Sequence, residues 1–270
     1  MATSFSGRGY HRAMAANGMT AVITGASRGI GRAAALRFAQ QGYRVLGLAR
    51  SLENLEALQR EISRKGGELK PMRVDASRRP EVIAACEAIL SKSGPPAVLI
   101  NNAGIALSAP LAKTKAEDFD RLMAINTVAP FFFCQGLMPA MAAAGGGRVI
   151  NIASTAALTG HKYTSAYCAS KHALLGMTRA LAVEFAKKAV TVNAVCPGWT
   201  DTDMLEGSAQ AISAATGRSH EAAREVLAQM NPMGRLIRPE DVAELCLFLA
   251  SPAAAAVTGA AYVMDGGEAV

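Results

Sequence analysis

The stretch Thr24-Gly25-Ala26-Ser27-Arg28-Gly29-Ile30-Gly31 decides which fold the sequence predicts. It follows an apolar run directly and precedes an Ala-rich segment with a helical pattern. Gly25 permits a tight turn, Gly29 lets the backbone approach a pyrophosphate, and Gly31 allows the helix to pack closely. Because the first turn of a helix offers free N–H donors to an anion, the stretch predicts a strand, a phosphate-binding loop and a helix in succession.

Outward from this loop, short apolar runs alternate with helical patterns along the chain. Such runs are typical of parallel strands that helices cover on both faces. The alternation predicts one α/β domain over residues 19–270, a doubly wound Rossmann-type fold with a mainly parallel seven-stranded sheet. The predicted strands are TAVIT (20–24), RVLGLA (44–49), LKPMRV (69–74), AVLIN (97–101), RVINIA (148–153), VTVNAV (190–195) and AYVMD (261–265).

Two segments depart from the alternation. Residues 203–238 interrupt it and contain stretches with a helical pattern, such as HEAAREVLAQM. An insertion of that length is typical of a lid or substrate loop, although an additional packing helix fits the same pattern. Residues 1–18 contain two arginines and no acidic residue. We predict a flexible extension there; a start codon at Met14 or Met19, or a short transit peptide, are the alternatives.

Charge and cysteine usage narrow the class of function. The 270 residues carry a net charge of +7, but Lys and Arg are scattered among acidic residues, which favours a phosphorylated small molecule over nucleic acid. No run approaches the apolar length of a membrane span. The cysteines and histidines lie singly, which predicts no metal, no disulfide framework and a cytoplasmic protein. They are Cys86, Cys134, Cys168, Cys196, Cys246, His11, His161, His172 and His220.

Polar residues stand at strand ends and on two predicted helices. The motif NNAG (101–104) follows the fourth strand, and Ser154 follows the fifth. Tyr167 and Lys171 lie four residues apart, where a helix places both on one face. Asn126 lies inside a predicted helix, which is an unfavourable place for Asn. Spacing alone assigns these residues no role.

Together these features resemble the short-chain dehydrogenase/reductase family over about residues 20–267. The glycine spacing is G-x-x-x-G-x-G, and the chain also carries NNAG, Tyr-x-x-x-Lys and the motif PGWTDTDM (197–204). The last third resembles the acyl-reductase or ketoreductase branch. The resemblance implies an NAD(P)-dependent oxidoreductase whose catalytic residues are Asn126, Ser154, Tyr167 and Lys171.

The resemblance also implies a role for each catalytic residue. A carbonyl that accepts hydride needs a proton on its oxygen, and Tyr167 would donate it. Lys171, one helical turn away, would favour the phenolate and bind the cofactor ribose. Ser154 would stabilise the substrate oxygen, and Asn126 would hold a water behind the lysine.

The end of the second strand predicts which nicotinamide cofactor binds. It reads Leu48-Ala49-Arg50-Ser51 and has no carboxylate for a ribose 2′-hydroxyl. Arg50 and Arg28 offer two cations for a 2′-phosphate, which predicts NADP, with NADPH preferred over NADH; two solvated arginines are the alternative. Asp75 would lie near the adenine or merely cap its strand. The predicted cofactor-binding residues are Gly25, Ser27, Arg28, Gly29, Ile30, Gly31, Arg50, Asp75, Asn102, Ala103, Gly104, Tyr167, Lys171, Pro197, Gly198, Thr200 and Thr202.

The substrate pocket is predicted from the loop before Tyr167 and from the PGWTDTDM motif. Its predicted residues are Ser154, His161, Tyr163, Trp199 and Met204. A mostly apolar lining suits a ketone or an acyl chain, while His161 could meet an acidic tail or be solvated. We expect interconversion of a ketone and a secondary alcohol, with a 3-oxoacyl or related β-keto substrate.

Two other functions fit the same residues. One is an NAD(P)-dependent dehydrogenase of a cyclic or aryl secondary alcohol. The other is a cofactor-sensing binding protein without turnover. The family resemblance further implies a homotetramer or homodimer built on helices predicted at 117–143 and 163–187, and no nucleic-acid or membrane partner is expected.

Overall fold

Seven strands form one sheet in which neighbouring strands are parallel. The structure is a computed structural model, and it describes residues 18–269. The strands are β1 (Thr20–Thr24), β2 (Arg44–Ala49), β3 (Glu68–Arg73), β4 (Val98–Asn101), β5 (Gly147–Ile152), β6 (Val190–Pro197) and β7 (Ala261–Met264). Their order across the sheet is β3-β2-β1-β4-β5-β6-β7, and each adjacent pair is parallel. The predicted seven-stranded, doubly wound fold is confirmed.

Helices cover both faces of this sheet. The α-helices of residues 18–269 are α1 (Gly29–Gln40), α2 (Leu52–Arg64), α3 (Arg79–Ser93), α4 (Ala116–Met123), α5 (Ala129–Ala143), α6 (Ser165–Phe185), α7 (Asp203–Thr216), α8 (His220–Gln229) and α9 (Pro239–Ala250). Ala21 and Ile23 of β1 pack with α1 and α9, whereas Val22 packs with α3, α5 and α6 on the opposite face. Successive side chains of a strand point to opposite faces, so the continuous apolar run supplies both cores.

The order of the strands places a crevice beside β1. The chain runs from β1 outward to β3 and then returns to pair β4 with the other edge of β1. The loops that follow β1 and β4 therefore leave the sheet in opposite directions. In doubly wound sheets, ligands bind at the carboxyl ends of the strands where this reversal occurs.

The two long helices differ from the sequence prediction. The helix predicted at 117–143 is interrupted by a π-helical segment, Ala124–Val128, between α4 and α5. Asn126 lies in that segment, and its side chain bonds to a neighbouring loop and to α6. The helix predicted from residue 163 begins at Ser165, because Tyr163 has a left-handed backbone with φ of 68°. Single-turn π-helical segments occur frequently at functional sites.

The insertion at 203–238 contains the helix pair α7 and α8, which we call the lid helices. Leu205 and Ala209 of α7 pack against Ala223 and Leu227 of α8, with Trp199 against the same cluster. Both alternatives for the insertion, a lid and a pair of packing helices, have this helical form.

Two further predictions concern the ends of the chain and membranes. The predicted N-terminal extension lies, apart from Gly18, outside the described residues. Within residues 18–269, the continuous helical segment Ala116–Ala143 is the one helix long and apolar enough to span a membrane, and half of its most apolar stretch is buried. Burial of this kind is what a core helix of an α/β domain also shows.

Candidate active site

The glycine loop after β1 is closely packed. Gly25 and Gly29 have φ of 66° and 52°, a region that side chains with a Cβ rarely adopt. A Cβ atom at Gly31 would collide with the carbonyl oxygen of Gly25 and the side-chain amide of Asn102. The loop thus requires glycine at these positions.

Two polar side chains fasten the loop to β4. The Nδ2 atom of Asn102 donates to the carbonyl oxygens of Thr24 at 2.9 Å and Gly25 at 3.2 Å. The Thr24 hydroxyl accepts from the backbone N–H groups of Asn102 and Ala103, each at 3.0 Å. These bonds fix the position of the backbone at the base of the crevice between β1 and β4, where the side chain of Asn102 supports the glycine loop.

The start of α1 offers an anion site. Arg28 precedes the helix without a side-chain cap, and the first turn contains no acidic residue. Backbone N–H groups at such a helix start attract an anion. The Arg28 guanidinium donates to Asp203 Oδ2 of α7 at 3.2 Å, and both side chains are exposed. Arg28 therefore lies between the glycine loop and the lid helices.

The predicted phosphate and adenine residues lie where β2 and β3 end. Arg50 is exposed immediately after β2. Asp75 Oδ1 accepts from the Ser77 N–H at 2.9 Å and from its hydroxyl at 2.8 Å. Burial raises the Asp75 pKa, but the Ser77 hydrogen bonds and the charges of Arg50 and Arg78 outweigh it, so the pKa is lowered. Asp75 thus caps its turn and lies close to Arg50.

Lys171 is buried on α6 at the carboxyl end of β5. Its side chain is 5% exposed, and Nζ donates to the carbonyl oxygen of Ile152 at 2.9 Å. Nζ also lies 5.8 Å from the centre of the Tyr167 ring. The helical spacing predicted this shared face.

Asn126 makes three hydrogen bonds beneath Lys171. Its Oδ1 accepts from the Ile105 N–H at 2.9 Å, while Nδ2 donates to the Ile105 carbonyl at 2.9 Å and the Ser170 hydroxyl at 3.0 Å. A Cβ atom at Gly104 would lie 3.3 Å from Asn126 Oδ1 and 3.6 Å from Lys171 Nζ. The loop after β4 therefore brings Asn126 and Lys171 together.

Ser154 lies where β5 ends and a single 3₁₀ turn begins. Its Oγ accepts from the Ala156 N–H at 3.2 Å. The hydroxyl lies close enough to Tyr167 to lower the pKa of the tyrosine, although burial acts more strongly in the opposite direction. The structure thus places Ser154, Tyr167, Lys171 and Asn126 at one end of the sheet, beside the glycine loop.

Comparison with known proteins identifies the family. Residues 25–268 match the family model described as enoyl-(acyl carrier protein) reductase. The 3-oxoacyl-[acyl-carrier-protein] reductase FabG of Thermotoga maritima is 36% identical over 254 residues, which cover 94% of this chain and 99% of that protein. The chain belongs to the short-chain dehydrogenase/reductase family.

Two other similar proteins show the breadth of this family. The cyclohexanol dehydrogenase of an Acinetobacter species is 35% identical over 251 residues, covering 93% of this chain and 94% of that protein. The solved structure of a variant actinorhodin polyketide ketoreductase with NADPH has a TM-score of 0.90 and 35% identity, covering 93% of this chain and 97% of that one. This short-chain dehydrogenase/reductase is an NAD(P)-dependent oxidoreductase that acts on CH–OH and C=O groups. The alternative of a non-catalytic sensor has no support among these relatives.

Burial dominates the electrostatics of the catalytic pair. It raises the pKa of Tyr167 to about 12 and lowers the pKa of Lys171 to about 8. Burial disfavours the charged form of both groups, and for Tyr167 it outweighs the hydrogen bond from Ser154 that lowers the pKa.

The segment after β6 runs between the glycine loop and the lid helices. Pro197 ends the strand, and the Thr200 hydroxyl donates to the Gly198 carbonyl at 3.0 Å. A Cβ atom at Gly29 would lie 3.1 Å from Cγ2 of Thr202. Thr200 also pairs with Ile237, where the chain returns from the lid helices. Of the predicted cofactor residues in this segment, Thr202 thus lies against the glycine loop.

The predicted substrate residues form two groups. His161 and Tyr163 share the loop before α6, where Lys162 Nζ lies 4.8 Å from the centre of the half-exposed Tyr163 ring. Trp199 packs on the lid helices, and Met204 is exposed in the first turn of α7. Within residues 18–269 no hydrogen bond joins the two groups.

Several residues that shape the site were not found from the sequence. The Ser170 hydroxyl donates to the Tyr167 carbonyl and accepts from Asn126. Ser170 lies three residues after Tyr167 on the same helix, and this spacing could have indicated that both belong to the site. Asn151 links Asn101 on β4 to Thr178 on α6 through bonds of 2.9 and 2.8 Å. No sequence pattern indicated that pairing, because it depends on the sheet order.

A separate groove lies away from these residues. Its volume is about 330 Å³, and it runs between residues 76–79 and the face formed by α4 and α5, with Phe119 and Phe132 in its wall. It shares none of the predicted site residues. In the described part of the chain, no three His, Cys, Asp or Glu residues cluster closely enough to hold a metal ion.

Proposed function

We propose that this chain reduces a 3-oxoacyl or related β-keto thioester to the secondary alcohol with NADPH. The observation that carries the proposal is the grouping of Ser154, Tyr167 and Lys171 at the end of β5, beside a glycine loop built for a pyrophosphate. Similarity to a 3-oxoacyl-[acyl-carrier-protein] reductase and to a polyketide ketoreductase supports the substrate class.

The chain's own residues fit a nicotinamide dinucleotide. Close packing at Gly25 and Gly31 leaves backbone, without side chains, facing the crevice, and the uncapped start of α1 offers N–H donors to the pyrophosphate. Lys171 would bind the ribose hydroxyls, and Thr202 the carboxamide. When bound, the reduced cofactor supplies the hydride.

Tyr167 would donate the proton that the new alkoxide requires. Its pKa of about 12 in the protein alone would make proton exchange slow, so the tyrosine depends on positive charge next to it. Lys171 and the oxidised nicotinamide ring both act in this direction. A general acid placed in this way typically contributes about 10²- to 10⁴-fold in rate.

Ser154 would hold the substrate oxygen, because its hydroxyl lies at the end of β5 close to Tyr167. A donor at this point stabilises the charge that develops on the oxygen. Asn126 would position the loop at Gly104 and Ile105 and, with a water, return protons to Lys171. The role of each of these residues is part of the proposal.

Preference for NADPH rests on Arg50 and Arg28. Both are exposed cations beside the predicted nucleotide site, and a planar guanidinium binds phosphate with two hydrogen bonds. Asp75 lies near Arg50 but has its carboxylate bonded to Ser77. To bind the phosphate, Arg28 would exchange its contact with Asp203 for the ligand.

We also propose a role for the lid helices, a cellular location and an oligomeric state. The lid helices would cover the substrate, with the predicted pocket residues Tyr163, Trp199 and Met204 around it. We further propose a cytoplasmic homotetramer or homodimer. The long helical faces of α5 and α6 would form the contact between subunits.

A second candidate is the oxidation of a cyclic secondary alcohol. The similarity to a cyclohexanol dehydrogenase favours it, as do the large apolar side chains near the predicted pocket. The same catalytic residues would then act in reverse, with Tyr167 as the base.

A substrate panel tests the proposal. Purified protein is assayed for NADPH consumption with acetoacetyl-CoA, cyclohexanone and crotonyl-CoA, and for NAD(P) reduction with cyclohexanol. We expect kcat/KM for acetoacetyl-CoA to exceed that for cyclohexanone by roughly 10-fold or more, the size of effect that a few pocket contacts produce. Crotonyl-CoA has no 3-oxo group and should not react.

Other outcomes would change the assignment. Faster turnover of cyclohexanol than of acetoacetyl-CoA would favour the second candidate. Turnover of crotonyl-CoA would favour an enoyl reductase, in agreement with the wording of the matching family model.

A further inference from the structure

A turn at the end of the described chain returns to the candidate site. Asp265 follows β7 and is buried, and its two carboxylate oxygens accept from the N–H groups of Gly267 at 2.9 Å and Ala269 at 2.8 Å. These bonds fix the backbone on both sides of Glu268. The side chain of Glu268 is thereby directed at the segment that follows β6.

Glu268 lies directly against that segment. A Cβ atom at Gly198 would lie 2.6 Å from Glu268 Oε2 and 2.9 Å from Asp265 Cβ. Glu268 Oε2 is buried and has no hydrogen-bond partner among residues 18–269. Buried polar atoms in native proteins nearly always have partners, so an exception of this kind points to a role.

The neighbour of this carboxyl group is Trp199. The backbone and indole N–H groups of Trp199 lie near the carboxyl group and lower its pKa, although neither completes a hydrogen bond to Oε2. Trp199 also packs on the lid helices, and its carbonyl accepts from the Ile237 N–H at 2.9 Å, where the chain leaves the insertion. Trp199 therefore connects Glu268 to both the lid helices and the base of the insertion.

We propose that Glu268 is a positioning residue that holds the Trp199 indole against the lid helices and so sets the affinity for the substrate acyl chain. This inference rests on the proposed function, in which Trp199 is part of the pocket wall. An apolar side chain at position 268 would fill the same space without burying a charge. The acidic residue therefore has a use other than packing.

The surroundings of Glu268 determine the pH at which its carboxyl group titrates. Burial and the negative charge of Asp265 raise the Glu268 pKa above the ordinary 4.5, and the Trp199 contacts lower it by less. The side chains nearest to Gly266 and Gly267 of this turn, Asn231 and Pro232, carry no charge. The carboxyl group should therefore change its charge at a higher pH than a solvated glutamate does.

Intrinsic fluorescence tests the contact without any substrate. Trp199 is the single tryptophan of the 270 residues, so its emission reports on this place alone. We expect a transition in emission whose midpoint lies above pH 4.5 in the parent protein and which is absent from Glu268→Gln. Glu240→Gln is the matched control, because Glu240 is exposed on α9, and it should keep the transition. An unchanged transition in Glu268→Gln, or none in the parent, would overturn the contact.

Kinetics test the consequence for substrate. In Glu268→Leu we expect KM for acetoacetyl-CoA to rise about 3- to 10-fold, the effect of losing one modest polar contact. The kcat value and the Kd for NADPH should stay within about 2-fold, and Glu268→Gln should restore part of the affinity. A loss confined to kcat, or equal KM values in all variants, would contradict positioning. If the parent turns over no ketone, the proposed function fails, while the fluorescence result still decides the contact.

Discussion

The catalytic centre and the lid helices lie at the same edge of the sheet but are built in opposite ways. Lys171 and Asn126 are buried, and hydrogen bonds to backbone atoms hold them. The lid helices pack on each other through a small apolar cluster, and exposed ion pairs add to it, in which Arg224 joins Asp201 at 2.9 Å and also Glu206. Buried bonds fix geometry before substrate arrives, whereas exposed pairs contribute about 0–1 kcal/mol each and exchange readily. We therefore expect the chemistry to take place in the rigid region and substrate recognition in the adjustable one.

The largest effect is expected from removing the hydroxyl group of Tyr167, the proposed proton donor of the rigid region. Tyr167→Phe removes the proton donor but keeps the ring, so kcat should fall by about 10²- to 10⁴-fold, while NADPH binding by fluorescence titration stays unchanged. Tyr262→Phe is the control, since Tyr262 is a partly buried residue of β7 far along the chain from the catalytic motif. Turnover retained in Tyr167→Phe would remove this residue from the mechanism.

The second prediction concerns the free-energy cost of burying Lys171. Its pKa is about 8 in the folded chain against an ordinary 10.5, because burial disfavours the ammonium form. The unfolded chain takes up this proton near pH 10.5 and the folded chain only near pH 8. The folded state therefore loses stability as pH falls from 10.5 to 8. We expect Lys171→Met to gain stability relative to the parent as pH falls from about 10 to 7, by at most about 3 kcal/mol.

Urea unfolding at the two pH values measures this gain. Lys187→Met, at an exposed position after α6, is the control and should follow the parent at both values. A stability difference between Lys171→Met and the parent that does not change with pH would mean that the ammonium group is well solvated.

The third prediction concerns Arg50, which lies beside the predicted nucleotide site. Arg50→Asp should reduce the preference for NADPH over NADH by about 10- to 100-fold, because a hydrogen bond to a charged group is worth about 1.5–3 kcal/mol. Fluorescence titration with both cofactors measures the ratio. Arg60→Asp makes the same charge change on the exposed face of α2 and should leave the ratio nearly unchanged. A parent that prefers NADH would refute the role of Arg50.

The smallest effect belongs to the lid helices. Arg224→Ala should raise KM by about 2- to 5-fold with little change in kcat, because each exposed ion pair contributes at most about 1 kcal/mol. The difference from the parent should shrink at high salt, where such pairs are screened. Arg218→Ala, in the exposed connection between α7 and α8, is the control. A large loss of kcat would show that the lid helices take part in the chemistry.

The sequence predicted the rigid region better than the adjustable one. Apolar runs identified all seven strands, although the edge strands β3 and β7 are only partly buried, and the four-residue spacing placed Tyr167 and Lys171 on one helical face. The contact of Arg28 with Asp203 joins residues 175 positions apart, and that of Glu268 with Gly198 depends on where β7 pairs. Neither local propensity nor periodicity carries such information. The π-helical segment at Asn126 was missed because its cause is a set of bonds to other elements.

The order of the strands also has a consequence for how the chain reaches its native state. β1 receives its second neighbour only from β4, and the Thr24 hydroxyl at this junction donates to Ile100, 76 residues later. Contacts so distant in sequence are slow to form, since the loop between them must close first. During synthesis, the inner edge of β1 therefore stays open until β4 has emerged. An apolar edge of this kind can pair with other chains, so the yield of native protein should depend on temperature and chain concentration during refolding more than on final stability.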